Sequence, residues 1–282
     1  MDSQNPRDGD FELVTLRNGS RAVRHLGHGE VMHPSVGPWQ EALRLYVEQP
    51  RLAERLRIPG ESLVIHDVGL GAATNAVAAL TCARELGPER RRALELVSFE
   101  VDLAPLRLAL ADAAGFPFLQ PFREAAGALM RDGVWEGEGL RWRLHLGDAQ
   151  GLLDVGLPKA DLVFFDPFSP ASNPEMWTTA VLSRVRACCR EDGEGALLMT
   201  YSAATPTRVT LLLAGFYVGA GLSTGTKGET TVAATRRESL ASPLGERWLE
   251  RWRRSSSRAP HGEPLTAELE ARVLAHPQWR VG

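Results

Sequence analysis

One stretch of the chain joins a carboxylate to a rigid turn in a way that suggests chemistry. The apolar run from Leu162 to Phe165 ends at Asp166, and Pro167 follows directly. Such a run is typical of a buried parallel strand, and proline ends it because its nitrogen cannot donate to the ladder. Asp166 is therefore expected at the carboxyl end of a strand, where open α/β sheets bind ligands. A carboxylate there can accept a proton from a bound group, or it can simply cap the turn.

A glycine turn lies upstream of this stretch. Asp67 ends an apolar run, and Gly69 and Gly71 follow it in the order Asp-Val-Gly-Leu-Gly. Glycines let a backbone approach a ligand closely, and the N-terminus of the next helix offers free N–H groups. The same pattern also suits an ordinary turn between a strand and a helix. Asp67 is a candidate for holding the amino group of a cofactor, or for accepting bonds from nearby N–H groups.

Two further acids follow predicted strands. Glu100 stands 29 residues after Gly71, where an acid accepts hydrogen bonds from the ribose hydroxyls of an adenosine cofactor. Asp148 follows the next strand and can receive an adenine amino group. Each acid has a plainer alternative, because Glu100 can cap a turn with Asp102 and Asp148 can cap a short helix through Leu152 and Leu153.

The order of these features favours one class of cofactor. A dinucleotide needs a pyrophosphate loop with three spaced glycines, and this turn has only the first two. A nucleoside cofactor without phosphate has no such need. The pattern therefore favours S-adenosylmethionine over NAD.

These residues need a scaffold that brings strand ends together. Short apolar runs alternate with helical stretches, and repeated β-α units predict an α/β fold with a doubly wound, mostly parallel sheet. The predicted strands are 63–68, 94–99, 140–146, 162–165, 196–201 and a final pair, 216–220 and 230–235. The predicted helices between them are 72–86, one through Leu106 and Leu110, one beginning at Asn173 and Pro174, and 207–214.

The two ends of the chain differ from this middle part. Asn18-Gly19 predicts a β-hairpin near the N-terminus, and 39–56 is predicted to be one amphipathic helix. Near the C-terminus, Trp248 and Trp252 share a face of a basic helix, whereas the polar segment 255–264 is expected to be loose. We therefore divide the chain into an N-terminal hairpin and helix extension, a cofactor-binding domain and a basic C-terminal helical tail, with the bounds 1–60, 61–238 and 239–282.

Composition excludes several classes of protein. The 282 residues are 44% hydrophobic, enough for a sizeable core, and the net charge of −3 does not indicate a nucleic-acid binder by itself. The three cysteines, Cys82, Cys188 and Cys189, form no CxxC pair, so neither a disulfide framework nor a zinc site is expected. The polar N-terminus lacks the apolar core of a signal peptide, and the longest apolar run is too short to span a membrane. A cytoplasmic protein that binds no metal is the expectation.

The chain resembles the class I S-adenosylmethionine-dependent methyltransferases, whose sheet is Rossmann-like. Within them it is similar to the methyltransferase domain of bacterial MnmC enzymes and their free-standing relatives. The matching segments are 67–80, 96–102, 164–178 and 200–216. The resemblance implies methylation of the aminomethyl group on the wobble uridine of tRNA, giving 5-methylaminomethyl-2-thiouridine. The family often has a lysine before Asn173, where this chain has Ala171 and Ser172, so a phosphate contact by that lysine is absent. In the fused MnmC enzymes a flavin-dependent oxidase domain exposes the amine. This chain has no dinucleotide fingerprint for such a domain, so the resemblance implies that the aminomethyl group is made by another route.

The chemistry of such a reaction suggests roles for particular residues. Asp166 can orient the amine and take its proton, and Phe168 and Trp177 can pack on a base or the methionine chain, or be core anchors. His25, His28, Glu30 and His33 are candidates for a lid over the amine site; metal ligation by them is the weaker alternative.

Three patches of arginine suggest that the protein binds RNA, because arginine contacts phosphate. Each patch can equally be an ordinary solvated surface. The patches are Arg17, Arg21 and Arg24; Arg51, Arg55 and Arg57; and Arg247, Arg251, Arg253 and Arg254. Three other functions stay open at this point: a small-molecule N- or O-methyltransferase, an aminopropyltransferase, and a non-catalytic S-adenosylmethionine-binding partner protein.

Overall fold

The computed structural model describes residues 7–32, 37–148, 151, 156–224 and 228–280. Near the N-terminus, three short strands form a small antiparallel sheet of order β1-β2-β3. They are β1 (Arg7–Asp8), β2 (Phe11–Thr15) and β3 (Arg21–His25). The predicted hairpin of β2 and β3 is confirmed, with Gly19 at φ +83° in its turn. This small sheet and the loop after it, residues 7–32, are called the hairpin unit below.

The main sheet has eight strands in the order β10-β11-β9-β8-β4-β5-β7-β6. In chain order they are β4 (Leu63–Val68), β5 (Leu94–Glu100), β6 (Val134–Gly137), β7 (Leu140–Leu146), β8 (Leu162–Phe165), β9 (Leu197–Thr200), β10 (Tyr217–Gly221) and β11 (Thr230–Ala234). The five strands from β9 to β7 in this order run parallel, and β6, β10 and β11 pair antiparallel at the edges. All six residues of β4 are buried, as expected for a central strand covered on both faces. The predicted doubly wound α/β fold is confirmed.

Helices cover both faces of this sheet. The α-helices are α1 (Pro38–Ala42), α2 (Leu52–Arg57), α3 (Thr74–Leu86), α4 (Ala104–Ala111), α5 (Arg123–Asp132), α6 (Thr179–Ala187), α7 (Thr205–Leu213), α8 (Glu246–Arg254) and α9 (Ala267–Leu274). Shorter helical turns are a π-helix at Leu43–Glu48 and 3₁₀ turns at Pro88–Arg90, Pro117–Phe122, Pro174–Trp177, Arg237–Ser239 and Pro277–Trp279. Among the helices of the described ranges, none is long and apolar enough to cross a membrane.

Successive side chains of each strand point to opposite faces of the main sheet, so the protein has two hydrophobic cores, one on each face. Ile65 and Phe164 belong to the core that includes α3 and α4. Val163 and Phe165 belong to the opposite core, with α6, α7 and the C-terminal helices. Neighbouring residues of one strand therefore stabilise opposite faces of the sheet.

Several elements differ from the sequence prediction. The single helix predicted for 39–56 is wrong, because a π-helical stretch and Arg51 at φ +55° divide it into three pieces. The helix predicted at Asn173 is a 3₁₀ turn, and α6 begins only at Thr179, where the Thr178 hydroxyl accepts from the Val181 N–H. Neither α5 nor β6 was predicted, because prolines lie just before α5 and β6 has only four residues.

The C-terminal tail packs against the main sheet. Trp248 and Trp252 are buried in the core on the α6 and α7 face, and the Trp252 indole donates to the Arg258 carbonyl oxygen. The segment expected to be loose is held in the structure, because the Thr207 hydroxyl bonds to the His261 ring and Pro260 is buried. Burial of the two tryptophans explains why the segment 255–264 is held in place. The polar composition of the tail gave no sign of this burial.

Candidate active site

The carboxyl ends of four neighbouring strands, β8, β4, β5 and β7, open into one cavity of about 810 Å³. That volume is typical of a small-molecule site. Six of the seven predicted site residues line it, and they are Gly69, Gly71, Glu100, Asp148, Asp166 and Phe168. The seventh, Asp67, does not line the cavity. The helix predicted through Leu152 and Leu153 lies outside the described residues.

The glycine turn after β4 is shaped by the loop after β8. Gly69 has φ +91°, and a Cβ built on it would lie 2.7 Å from the Asp166 carbonyl oxygen. Its N–H donates to the Phe99 carbonyl oxygen at 3.1 Å. Gly71 also has a positive φ, and a Cβ there would meet the Met32 sulfur at 3.3 Å. Glycine at position 69 is therefore required for two strand ends to approach each other, as well as for access by a ligand.

Glu100 borders the same turn. Its Oε2 accepts from the Gly71 N–H at 2.7 Å and its Oε1 from the Val101 N–H at 2.8 Å and the Asp102 N–H at 3.3 Å. Burial raises the pKa of Glu100, whereas these N–H donors lower it. A carboxylate has about four acceptor positions, so Glu100 keeps capacity for a ribose hydroxyl. A nucleoside cofactor without phosphate fits this end of the cavity.

Asp67 lies behind the cavity wall and is fully buried. Its Oδ2 accepts from the Ser98 hydroxyl at 2.7 Å, and the Ser98 oxygen in turn accepts from the Trp142 indole at 2.9 Å. Its Oδ1 has no hydrogen-bond partner among the described residues. Burial raises the pKa of Asp67 to about 8, which favours the neutral acid at pH 7. The contact between Asp67 and a cofactor amino group stays a prediction. That contact needs an ionised carboxylate, and burial disfavours the ionised form of Asp67 in the folded protein.

Asp166 is half-buried at the tip of β8, as the sequence analysis predicts. Its Oδ2 accepts from the Asn75 side-chain amide at 2.7 Å, and its N–H donates to the Val68 carbonyl oxygen at 3.0 Å. Asn75 lies in the first turn of α3 and is buried. Asn75 was not predicted; its signal in the sequence is a polar residue on the inner face of an alanine-rich helix.

The two aromatic residues that follow Asp166 have different environments. Phe168 is half-buried and lines the cavity, whereas Trp177 is fully buried and does not. The Trp177 indole donates to the Phe168 carbonyl oxygen at 2.8 Å and packs edge-on against Phe165. Trp177 is thus the core anchor of the loop, and Phe168 is the residue available to a ligand.

The hairpin unit forms the opposite wall of the cavity. Glu30 accepts from both the backbone N–H and the hydroxyl of Ser169, at 3.0 and 2.9 Å. His25 and His28 line the cavity as well, whereas His33 lies outside the described residues. Within the parts of the chain that the structure describes, no group of three or more His, Cys, Asp or Glu side chains could hold a metal ion.

Glu41 and Tyr201 are two of the lining residues that were not predicted. Glu41, on α1, is 4% exposed, and Tyr201 follows β9 with its hydroxyl 3.3 Å from the Pro167 carbonyl oxygen. Burial and the charge of Asp166 raise the pKa of Tyr201 above its ordinary value, and Glu30 and Glu41 add to this. Three carboxylates thus face one part of the cavity, which favours an amine over an anionic acceptor.

The arginine patches differ in how far their charge is paired. Arg21 bonds to Asp112 at 2.9 Å, Arg24 pairs with Glu12, and Arg55 lies 3.3 Å from Glu194. In contrast, the four tail arginines are exposed on α8: Arg247, Arg251, Arg253 and Arg254. Of the predicted patches, the tail keeps the most accessible positive charge.

Comparison with known proteins gives a consistent assignment. Residues 125–236 match a family described as S-adenosyl-L-methionine-dependent methyltransferase. A Methylibium petroleiphilum protein named tRNA 5-methylaminomethyl-2-thiouridine biosynthesis bifunctional protein MnmC is 33% identical over 231 residues, covering 78% of this chain and 34% of that protein. The protein of the same name from Chromobacterium violaceum is 29% identical over 266 residues, covering 90% and 39%. The chain thus spans between a third and two fifths of the length of these two relatives.

A solved structure is similar along nearly the whole chain. The crystal structure of MnmC2 from Aquifex aeolicus has a TM-score of 0.73 and is 29% identical. The match covers 97% of this chain and 86% of that one, so it includes the hairpin unit and the tail.

Proposed function

We propose that this chain is an MnmC-like S-adenosyl-L-methionine-dependent methyltransferase whose acceptor is an amine on tRNA. The proposed reaction methylates the aminomethyl group of 5-aminomethyl-2-thiouridine at the wobble position and gives 5-methylaminomethyl-2-thiouridine. The names of the relatives support this acceptor. One observation carries the proposal from the structure: Asp166, held by Asn75, lies at a strand tip directly beside the glycine turn.

The cavity would hold two ligands, the cofactor and the acceptor, side by side along the edge of the sheet. Glu100 and Asp148 lie at the tips of β5 and β7, where they would hold the adenosine of the cofactor through its hydroxyls and amino group. Asp166 lies at the tip of β8, on the other side of the glycine turn. When bound, S-adenosyl-L-methionine supplies an electrophilic methyl group. The acceptor amine would then lie between that methyl group and Asp166.

The proton on the acceptor determines what Asp166 must do. An alkylamine resembles a lysine side chain, whose pKa is about 10.4, so it arrives protonated at neutral pH. Only the free amine has a lone pair for the new nitrogen–carbon bond. Asp166 accepts a hydrogen bond from the ammonium, orients it and helps to remove its proton, directly or through water. Glu30 and Glu41 add negative charge that attracts the cation.

Methyl transfer to defined RNA tests the proposal. Purified protein is incubated with S-adenosyl-L-methionine labelled in the methyl group and with tRNA that carries the unmethylated aminomethyl group. We expect label in the wobble nucleoside, and about 100-fold or more slower transfer in Asp166→Ala, in line with the loss of a general base. Fully methylated tRNA is the matched negative control.

Two outcomes would contradict it. Transfer to small amines but not to tRNA would identify a small-molecule methyltransferase instead. Binding of S-adenosyl-L-methionine without transfer to any acceptor would identify a non-catalytic binding protein.

For the location of the protein we propose the cytoplasm, where free thiols such as Cys82 and Cys189 stay reduced.

A further inference from the structure

We propose that the hairpin unit and Phe168 together form the subsite for the acceptor base, in which a pyrimidine ring stacks on the side chains of His28 and Phe168. This inference rests on the proposed function and extends it to the residues that select the acceptor. We call Phe11, His25, His28 and Phe168 the aromatic rim; all four line the cavity.

Ring contacts join the rim into one surface. His25 meets Phe168 edge-on with ring centroids 5.5 Å apart, and Phe11 lies nearly parallel to Phe168 at 6.4 Å. His28 lies 4.5 Å from His25 and 6.5 Å from Phe168. Phe11 is 5% exposed and supports the others from behind, whereas His28 is exposed. An exposed ring beside a half-buried ring, at the mouth of a cavity, leaves aromatic surface for a flat ligand.

The position of the rim assigns it to the acceptor. Phe168 is two residues after Asp166, on the loop that follows β8, whereas the residues proposed for adenosine follow β5 and β7. A base bound on the rim would therefore place a short side arm close to Asp166. Proteins that recognise single-stranded RNA commonly stack unpaired bases on phenylalanine and histidine rings.

Hydrogen bonding gives the rim a polar group as well. The Nδ1 atom of His25 accepts from the His28 backbone N–H at 3.2 Å, so the proton of a neutral ring is on Nε2. Burial and the charge of His28 lower the pKa of His25, which favours the neutral ring. His25 can therefore donate one hydrogen bond to a carbonyl or thiocarbonyl group of a base.

Contacts on both sides hold the hairpin unit in place over the cavity. Asp8 bonds to Arg107 at 2.5 Å and Arg21 bonds to Asp112 at 2.9 Å, which fasten the unit to α4 and the residues after it. On the other side, Glu30 binds Ser169 through both of its oxygens. The rim is therefore organised before an acceptor arrives, which reduces the entropy lost on binding.

Steady-state kinetics of four variants test the subsite. Methyl transfer to an anticodon stem-loop carrying the aminomethyl group is measured for His28→Ala, His28→Phe, Phe168→Leu and Leu26→Ala. Stacking is worth about 1–3 kcal/mol per base, so we expect KM for RNA to rise about 5- to 150-fold in His28→Ala and Phe168→Leu. His28→Phe should restore a KM near that of the unchanged protein, because it keeps a ring.

Controls separate this inference from the proposed function. Leu26 is 39% exposed on the same loop and does not line the cavity, so Leu26→Ala should change nothing. Binding of S-adenosyl-L-methionine, measured by calorimetry, should be the same in all four variants. If the unchanged protein methylates the stem-loop and His28→Ala and Phe168→Leu keep KM for RNA within twofold, the base subsite is wrong. If the unchanged protein does not methylate RNA, the proposed function fails first.

Discussion

The side-chain amide of Asn75 donates a 2.7 Å hydrogen bond to Oδ2 of Asp166 and thereby joins the first turn of α3 to the loop after β8. Asn75 is 3% exposed, whereas Asp166 is half-buried and lines the cavity. A hydrogen bond to an ionised group contributes about 1.5–3 kcal/mol, enough to hold the carboxylate in one orientation. Asn75 is therefore a positioning residue for the group that we assign to the acceptor amine.

Replacing Asn75 should slow turnover through Asp166. We expect kcat to fall about tenfold or more in Asn75→Ala, with a further fall in Asn75→Asp, which brings a second carboxylate against the first. The acid limb of the pH–rate profile should move to higher pH, because a carboxylate that loses a donor is protonated more easily. Asn18→Ala, in the exposed turn between β2 and β3 and outside the cavity lining, serves as the control variant and should leave kcat and the pH profile unchanged. An unchanged pH profile in Asn75→Ala would assign Asn75 a purely structural role.

Gly69 should not tolerate a side chain. Gly69→Ala places a Cβ 2.7 Å from the Asp166 carbonyl oxygen at a φ of +91°. The backbone strain alone costs about 1–3 kcal/mol, and displacement of the Asp166 loop adds to it. We expect a lower urea midpoint together with weaker binding of S-adenosyl-L-methionine. Gly245→Ala is the matched control, since a Cβ there meets nothing within 4 Å and its φ is −116°. Equal midpoints for the two variants would contradict the close approach.

The parts of the fold that were predicted correctly are those whose own few residues form a recognisable sequence pattern. The strands β4, β7 and β8 have the predicted bounds, because continuous apolar or alternating runs end at a glycine or an acid. Their acids and glycines share one sheet edge for the same reason, since parallel strands all end on one side. Recognition of Gly69, Glu100, Asp148 and Asp166 as neighbours needed no knowledge of packing.

Other parts of the site depend on contacts between distant segments. Glu30 and Ser169 are 139 residues apart. Glu30 was predicted to belong to a lid over the amine site, but nothing in either segment indicates that its partner is Ser169. The buried position of Glu41 follows from how α1 packs, and a single acid on a short helix gives no signal of it. Phe168 and Trp177 are equivalent in the sequence, and only the packing of Trp177 beneath the loop distinguishes them.

Asp67 should make stability depend on pH. Its pKa is raised from an ordinary value of 3.8 to about 8 in the folded protein. The folded state therefore holds a proton that the unfolded state releases, and the stability from this group, complete below about pH 4, is lost as pH rises towards 8. Asp67→Asn imitates the neutral acid at every pH. We expect the free energy of unfolding of Asp67→Asn minus that of the unchanged protein to increase with pH, by at most about 1.4 kcal/mol per unit.

The difference between the two proteins isolates Asp67. Other groups, such as His66 with a pKa lowered by burial to about 4, titrate alike in both and cancel. Urea unfolding without cofactor at pH 5, 6, 7 and 8 gives the comparison. A difference that stays constant across these values would show that Asp67 is ionised in the folded protein.

Trp252 should couple the C-terminal tail to the stability of the whole domain. Its side chain is 1% exposed in the same core as Val163 and Phe165, and its indole donates to the Arg258 carbonyl oxygen at 2.9 Å. Replacing a buried tryptophan with alanine costs about 3–5 kcal/mol, so Trp252→Ala should lower the urea midpoint in a single cooperative transition. Arg251→Ala, the exposed neighbour, should change stability by less than about 0.5 kcal/mol. A variant that melts in two steps, with the sheet transition unmoved, would instead make the tail an independent unit.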